Sequence, residues 1–250
     1  MNSSVDQSEQ VNRAIYLGDA GMRLMCPNHF TAKVRRFHEY ERRFYRDLLR
    51  ASRYDLIIEV GCSGYRLIGV KSDYNDYLGI DINPPRARRL KNGRGAVIRC
   101  EANRFFKRTR LINEIMIRYD GRVLCILPFN FLGTMDAPME FLTRVCQVPF
   151  DLALSLFSTS ETATVARLEY YDLCGISVQG VVRTDDYVRL DCSNGFQAFA
   201  FDPFFLESRI SARGFRLSNA ECYDVCHFLH FKKSNPGYGS QDNANRAPGS

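Results

Sequence analysis

Three short segments carry side chains whose type and spacing could hold a nucleoside. Glu59-Val60-Gly61-Cys62-Ser63-Gly64 sets two glycines at the end of an apolar run that begins at Leu56. Glycine at such a turn lets the backbone pass close to a ligand and exposes amide groups at the start of a following helix. Asp81 ends a second apolar run, 22 residues after Glu59. A carboxylate there can accept hydrogen bonds from both hydroxyls of a ribose. Glu101 follows a third run, in Ile98-Arg99-Cys100-Glu101-Ala102. One such group after each successive run points to a nucleotide-type cofactor at the carboxyl edge of a parallel sheet.

That chemistry requires strands lying side by side with their carboxyl ends together. Residues 56–60, 77–82, 96–99, 123–127 and 152–157 read as strands, with helix-compatible segments at 84–91, 105–118 and 137–145. Apolar strands alternating with helical patterns indicate βαβ units. Upstream, residues 31–51 carry Val34, Phe37, Tyr40, Phe44 and Leu48 at spacings of three and four, the period of an amphipathic helix. Downstream, a helix over 161–174 leads to strands over 177–183, 187–191 and 196–201, a short helix over 203–212 and a last strand over about 222–231. Strands so closely spaced predict antiparallel pairing at one sheet edge. The expected fold is α/β: a doubly wound, mostly parallel Rossmann-like sheet with helices on both faces and an antiparallel C-terminal edge. The expected organisation is a flexible start over 1–10, one domain over 11–233 whose first part, 11–53, forms a helical cap, and a disordered tail over 234–250.

With these motifs in place, residues 50–231 resemble the class I S-adenosylmethionine-dependent methyltransferases. The resemblance rests on the Glu59-Val60-Gly61-Cys62 turn, the Tyr77-Leu78-Gly79-Ile80-Asp81 strand end and Glu101. It implies that Gly61, Cys62, Ser63 and Gly64 line the methionine part of S-adenosyl-L-methionine, with Glu59 supporting the turn. It further implies that Asp81 holds the ribose, that Ile82 packs on adenine and that Glu101 and Ala102 border the adenine edge. The family's fourth-strand motif would be Leu127-Pro128-Phe129-Asn130, beside the transferred methyl. The chain departs from the common Gly-x-Gly-x-Gly by placing Ser63 where the second glycine stands. An NAD(P)-binding oxidoreductase is the competing reading, although it would normally keep Gly-x-Gly-x-x-Gly. Asn83-Pro84-Pro85 follows the second strand rather than the fourth, so it reads as a helix cap with proline in the first turn rather than a base-methylation motif.

The resemblance implies that acceptor-side residues come from the loops after the fourth and fifth strands and from the N-terminal helix. Arg167, Tyr170, Tyr171 and Cys174 share one helical stripe. Arg167 and Tyr171 are the catalytic candidates there, and Tyr170 a substrate contact. A guanidinium on an apolar face asks for a carboxylate, which could be the substrate's. His38 is the candidate general base. Tyr16 and His29 are substrate-contact candidates, with Phe30 and Tyr40 able to join Tyr16 in an aromatic lid.

Composition narrows the partners. The 250 residues are 45% hydrophobic and 25% charged with a formal net charge of +6, an ordinary globular profile. No run approaches the roughly 18 apolar residues of a membrane span, and the first ten residues lack signal-peptide order. A cytoplasmic protein without a membrane partner is expected. Of the 34 basic residues six are Lys, leaving 28 Arg, densest at 86–91 and 104–110. They would bind nucleic acid if they met on one face. The nine cysteines are widely spaced and odd in number, which fits reduced buried thiols better than a disulfide scaffold. Cys222-x3-Cys226-His227-x2-His230 lacks zinc-site spacing and alternates as a strand does, so no metal is expected. The leading expectation is methyl transfer to an O or N atom of a small molecule, with an anionic acceptor of specialised metabolism in view. The alternatives are an RNA-modifying methyltransferase and a cofactor-binding, non-catalytic partner subunit.

Overall fold

The computed structural model describes residues 11–62, 67, 75–84 and 94–234. The expected flexible start and most of the expected tail lie outside the described residues, as do Ser63, Gly64 and most of the helix expected over 84–91.

Five parallel strands form the centre: β1 (Leu56–Val60), β2 (Asp76–Asp81), β3 (Gly95–Arg99), β4 (Val123–Leu127) and β5 (Asp151–Phe157). They are joined by β9 (Phe215–Cys222) and β10 (Cys226–Lys233) into a seven-stranded sheet of order β3-β2-β1-β4-β5-β10-β9. β10 runs antiparallel to both β5 and β9, giving the antiparallel edge. Every residue of β1 and β4 is buried, as expected of strands covered on both faces. The strand pleat sends Ile57 to one core and Leu56, Ile58 and Val60 to the other.

Helices cover both faces. α1 (Val11–Leu17), α2 (Asp19–Leu24) and α3 (Ala32–Ala51) come first. Thr31 caps α3 by accepting the Val34 N–H at 3.2 Å. Val34, Phe37, Phe44, Tyr45 and Leu48 of α3 pack with Phe157 and Phe228 in the first core. α4 (Ala102–Phe106), α5 (Thr109–Tyr119) and α6 (Pro138–Val145) build the second core with α8 (Pro203–Ser211). α7 (Glu161–Leu173) starts at Ser160, whose hydroxyl accepts the Ala163 N–H at 3.0 Å.

Three expectations are corrected. The helix expected over 105–118 is two helices, α4 and α5, broken at Lys107 and Arg108. The last strand is a hairpin, because the chain reverses between Cys222 and Cys226, where the Tyr223 N–H bonds the Cys226 carbonyl at 2.8 Å. The strands β6 (Val178–Arg183), β7 (Tyr187–Cys192) and β8 (Gln197–Phe201) are antiparallel as expected but form a separate three-stranded sheet. Both β8 and β10 approach β5, but β10 occupies its free edge, burying His230 and Phe231 against Ala153 and Leu152.

Candidate functional site

A cleft enclosing about 1420 Å³, part of it open to solvent, lies across the carboxyl ends of β1, β2, β4 and β5. Its floor follows from the parallel register: Val60 beside Ile80, and Ile80 beside Ile98, bring the three chain turns to one edge.

The polar end is built from β1, β2 and the start of α4. Gly61 sits at φ +75°, and a Cβ there would fall 2.3 Å from Cδ2 of Phe131, so only glycine fits. Its N–H donates to the Ile80 carbonyl at 2.7 Å, which ties the turn to β2. Glu59 is wholly buried beneath the turn and accepts the Tyr77 hydroxyl at 2.6 Å. The Cys62 side chain packs against Gly79, where an added Cβ would come within 2.7 Å of Sγ, and it does not line the cleft. Burial, with Glu59 and Asp81 nearby, pushes the Cys62 thiol up and keeps it protonated. Asp81 accepts the Asn83 N–H at 2.7 Å, an Asx turn that fixes its carboxyl at the cleft edge. Glu101 precedes α4 and pairs with Arg104 at 3.5 Å. Asp81, Ile82, Glu101 and Ala102 all line the cleft. Two carboxylates flanking an apolar slot can accept hydrogen bonds from a diol and an amino group.

The wall opposite is the turn after β4, Pro128-Phe129-Asn130, all lining the cleft. Phe129 and Asn130 take φ of +38° and +56°, the left-handed region that costs a bulky residue strain. Tertiary hydrogen bonds hold them there. The Phe129 N–H donates to Glu41 Oε1 of α3 at 2.7 Å. The Asn130 N–H donates to the Ser155 carbonyl at 2.7 Å, and Asn130 Nδ2 to the Phe199 carbonyl at 2.9 Å. Sequence reasoning missed Glu41, whose signal was an acid inside the apolar stripe of Val34, Phe37, Phe44 and Leu48.

The aromatic end is formed by Phe129, Phe157, Tyr170 and Tyr171, with Tyr16, Met22 and Met25 contributed by the N-terminal helices and the segment just after them. Asn12 fastens α1 over the cleft: its N–H meets Asp136 Oδ1 at 3.0 Å, its Nδ2 the Thr134 carbonyl at 2.8 Å, and its Oδ1 accepts the Gln197 N–H at 3.2 Å. Asn12 and Asp136, too, were missed by sequence reasoning. The Tyr170 hydroxyl donates to the Leu24 carbonyl.

Besides Glu59 and Cys62, three sequence candidates do not reach the cleft. Arg167 shares a helix with Tyr171, but its guanidinium turns inward, wholly buried, and donates to the carbonyls of Val188 and Ala198 at 3.3 and 2.5 Å. It ties the small sheet to α7, and desolvation lowers its affinity for its proton. The carboxylate partner expected for it is replaced by backbone oxygens. His38 lies between the rings of Phe30 and Phe129, at 4.6 and 4.1 Å, with Nδ1 3.4 Å from Glu41. Phe129 thus screens it from the cleft. His29 Nδ1 donates to the Arg23 carbonyl at 3.1 Å, outside the cleft lining.

Among the described residues no cluster of His, Cys, Asp or Glu could hold a metal ion, and no helix is long and apolar enough to cross a membrane. All nine cysteines are free thiols. Beside the polar end runs a second groove lined by Arg13, Arg99, Arg104 and Arg108 with Glu101.

No family model matches the sequence, and no curated protein matches it. Solved structures do. The chain is similar to the 1,6-didemethyltoxoflavin-N1-methyltransferase of Burkholderia thailandensis, solved with 1,6-didemethyltoxoflavin and S-adenosylhomocysteine: TM-score 0.58, 12% identity, 94% of this chain and 92% of that one. It is also similar to the magnesium protoporphyrin IX methyltransferase of Synechocystis PCC 6803 with bound S-adenosylhomocysteine, at TM-score 0.55 and 12% identity over 93% of this chain and 100% of that one. With the parallel five-strand centre and the antiparallel β10-β9 edge, the chain has the fold of the class I S-adenosylmethionine-dependent methyltransferases.

Proposed function

We propose that this protein is an S-adenosylmethionine-dependent methyltransferase acting on a small molecule. One observation carries the reading: the Gly61 turn, Asp81 and Glu101, from three successive parallel strands, line a single cleft that continues into an aromatic chamber. Its lining runs from the carboxylates of Asp81 and Glu101 to the rings of Tyr170 and Tyr171, which gives the cleft two chemically distinct ends for two ligands.

The donor set suits S-adenosylmethionine, which supplies an electrophilic methyl group when bound. Asp81 accepts the ribose hydroxyls, Ile82 and Ala102 flank the adenine, and Glu101 borders its edge. Gly61 opens the turn to the methionine end. The strained Phe129–Asn130 wall sets the distance between the two ligands, which matters because in-line transfer depends on alignment. α1, fastened by Asn12, excludes water from the chamber.

An acceptor oxygen or nitrogen, and a place in specialised metabolism, remain part of this proposal, and nine free cysteines favour a reducing, cytoplasmic setting. An anionic acceptor is not proposed, because Arg167, the residue that suggested it, serves backbone carbonyls. A second reading, RNA methylation, draws on the groove of Arg13, Arg99, Arg104 and Arg108 at the cleft mouth. Titration calorimetry with S-adenosylhomocysteine tests the first. Wild-type protein should bind, and Asp81→Ala should weaken binding at least tenfold, about 1.4 kcal/mol for a charge-assisted bond lost. Equal affinities would sink the cofactor assignment.

A further inference from the structure

We propose that the aromatic end of the cleft is the acceptor subsite and takes a planar, uncharged nitrogen heterocycle, methylated on a ring nitrogen without a base from the protein. The inference rests on the methyltransferase reading and specifies the second ligand.

Shape comes first. The rings of Phe129, Phe157, Tyr170 and Tyr171 form one continuous surface: Phe129 lies 5.7 Å from Phe157 at 61° and 5.9 Å from Tyr170 at 72°, and Tyr170 lies 5.4 Å from Tyr171. All four line the cleft, with Met22 and Met25 beside them. Phe129 set at large angles to Phe157 and Tyr170, with Tyr171 tilted 34° from Tyr170, offers both faces and edges, the arrangement that receives a flat aromatic guest by stacking and edge contacts. Thioethers fill the irregular margin.

Charge comes second. Among the described lining residues the one cationic side chain is Arg13, which also borders the groove beside Glu101 at the polar end. The Arg167 guanidinium stands behind Phe157, 5.8 Å from the ring centre, with Nη1 and Nη2 donating to the carbonyls of Val188 and Ala198. A ligand carboxylate in the chamber would lose water and find only neutral phenol donors, Tyr16 and Tyr171, in place of a cation, whereas a neutral ring loses little.

Protons come third. Burial pushes the Tyr171 phenol up to about 12 and raises that of Tyr16 as well, so both keep their protons at neutral pH. The Tyr170 proton is engaged by the Leu24 carbonyl, His38 is screened by Phe129, and Asp136 holds the Asn12 N–H. The remaining lining carboxylates, Asp81 and Glu101, stand at the polar end, so an acceptor hydroxyl at the aromatic end finds no neutral imidazole or phenolate to take its proton. A ring nitrogen needs no such help. Its lone pair forms the new N–CH3 bond while the bond from that methyl to the sulfonium sulfur breaks, its electron pair passing to sulfur. Sulfur becomes a neutral thioether, and the positive charge moves to the ring, which sheds a proton to solvent where the nitrogen carried one.

Binding to protein saturated with S-adenosylhomocysteine tests this without turnover. The probes are lumichrome and quinoxaline, neutral planar nitrogen heterocycles, and 2-naphthoate, a planar anion. A heterocycle should bind at least tenfold more tightly than 2-naphthoate. Phe157→Leu, or Phe157→Met as a second variant of similar volume, should weaken that binding about tenfold while S-adenosylhomocysteine affinity stays within twofold. Tighter binding of 2-naphthoate, an unchanged heterocycle affinity in both variants, or no heterocycle binding to the loaded protein overturns the subsite. Failure to bind S-adenosylhomocysteine overturns the methyltransferase reading as well, which separates the two failures.

Discussion

Glu41 makes a sharp test of how the cleft is held open. Its carboxyl group is 1% exposed and accepts the Phe129 N–H at 2.7 Å, with His38 Nδ1 3.4 Å from its other oxygen. That N–H belongs to a turn where Phe129 and Asn130 both adopt positive φ. Left-handed non-glycine residues cost about 1–3 kcal/mol each, so the turn persists only while its neighbours overdetermine it. A hydrogen bond to a charged group contributes about 1.5–3 kcal/mol, and orphaning a buried N–H adds a penalty of similar size. Glu41→Ala should therefore destabilise the protein by about 3 kcal/mol, which for a chain of this length lowers Tm by roughly 6–12 °C. Glu41→Gln keeps an oxygen acceptor and should cost about 1 kcal/mol. Because the relaxed turn is a cleft wall, Glu41→Ala should also weaken S-adenosylhomocysteine binding about fivefold, while Glu41→Gln should restore most of it. Thermal denaturation paired with titration calorimetry reads both quantities. The reasoning is refuted if Glu41→Ala melts within 2 °C of wild type, or if Gln is no better than Ala, since then the Phe129 hydrogen bond is not what holds the turn.

Two further outcomes follow from groups away from the cleft. Arg167→Met removes the donors to Val188 and Ala198 and should cost about 2–4 kcal/mol in urea unfolding, with S-adenosylhomocysteine affinity unchanged within twofold; a large affinity loss with normal stability would return Arg167 to the site. His230 lies 2.7 Å from the Tyr54 hydroxyl, itself 2.7 Å from Asp151, at the opposite end of the sheet, and burial pulls its imidazole down to about 4. The folded protein binds fewer protons there than the unfolded chain, so stability should fall as pH drops from about 6.5 towards 4, by up to about 3 kcal/mol. Unfolding curves across that range should show a shallower decline for His230→Gln, and an identical slope would remove His230 as the cause.

Much of the frame was readable in residue order. The strand runs up to residue 201 and the α3 stripe are local periodicities, and they appear within a residue or two of where the pattern placed them. Asp81, Glu101 and the turn at Gly61 were findable because a parallel sheet brings every strand's carboxyl end to one edge, so position along the chain implies position in space. The helix over 105–118 was read as one because Lys107 and Arg108 carry no breaker residue.

Side-chain destination was a different matter. Arg167 and Tyr171 sit one helical turn apart, yet Tyr171 reaches the cleft and Arg167 the carbonyls of a sheet 21 and 31 residues away in sequence. Glu41 meets Phe129 across 88 residues, and Asn12 reaches Asp136 and Gln197 across 124 and 185. The pairing of β6, β7 and β8 apart from the main sheet likewise depends on β10 having taken the free edge of β5. Sequence alone determined the alternation of strands and helices, the glycine turn and the carboxylates at the strand ends, since each is a property of a few consecutive residues. Only the tertiary structure decided which residues face the cleft and which brace it, because a buried polar group takes whatever partner the packed chain brings within 3 Å, regardless of separation in sequence.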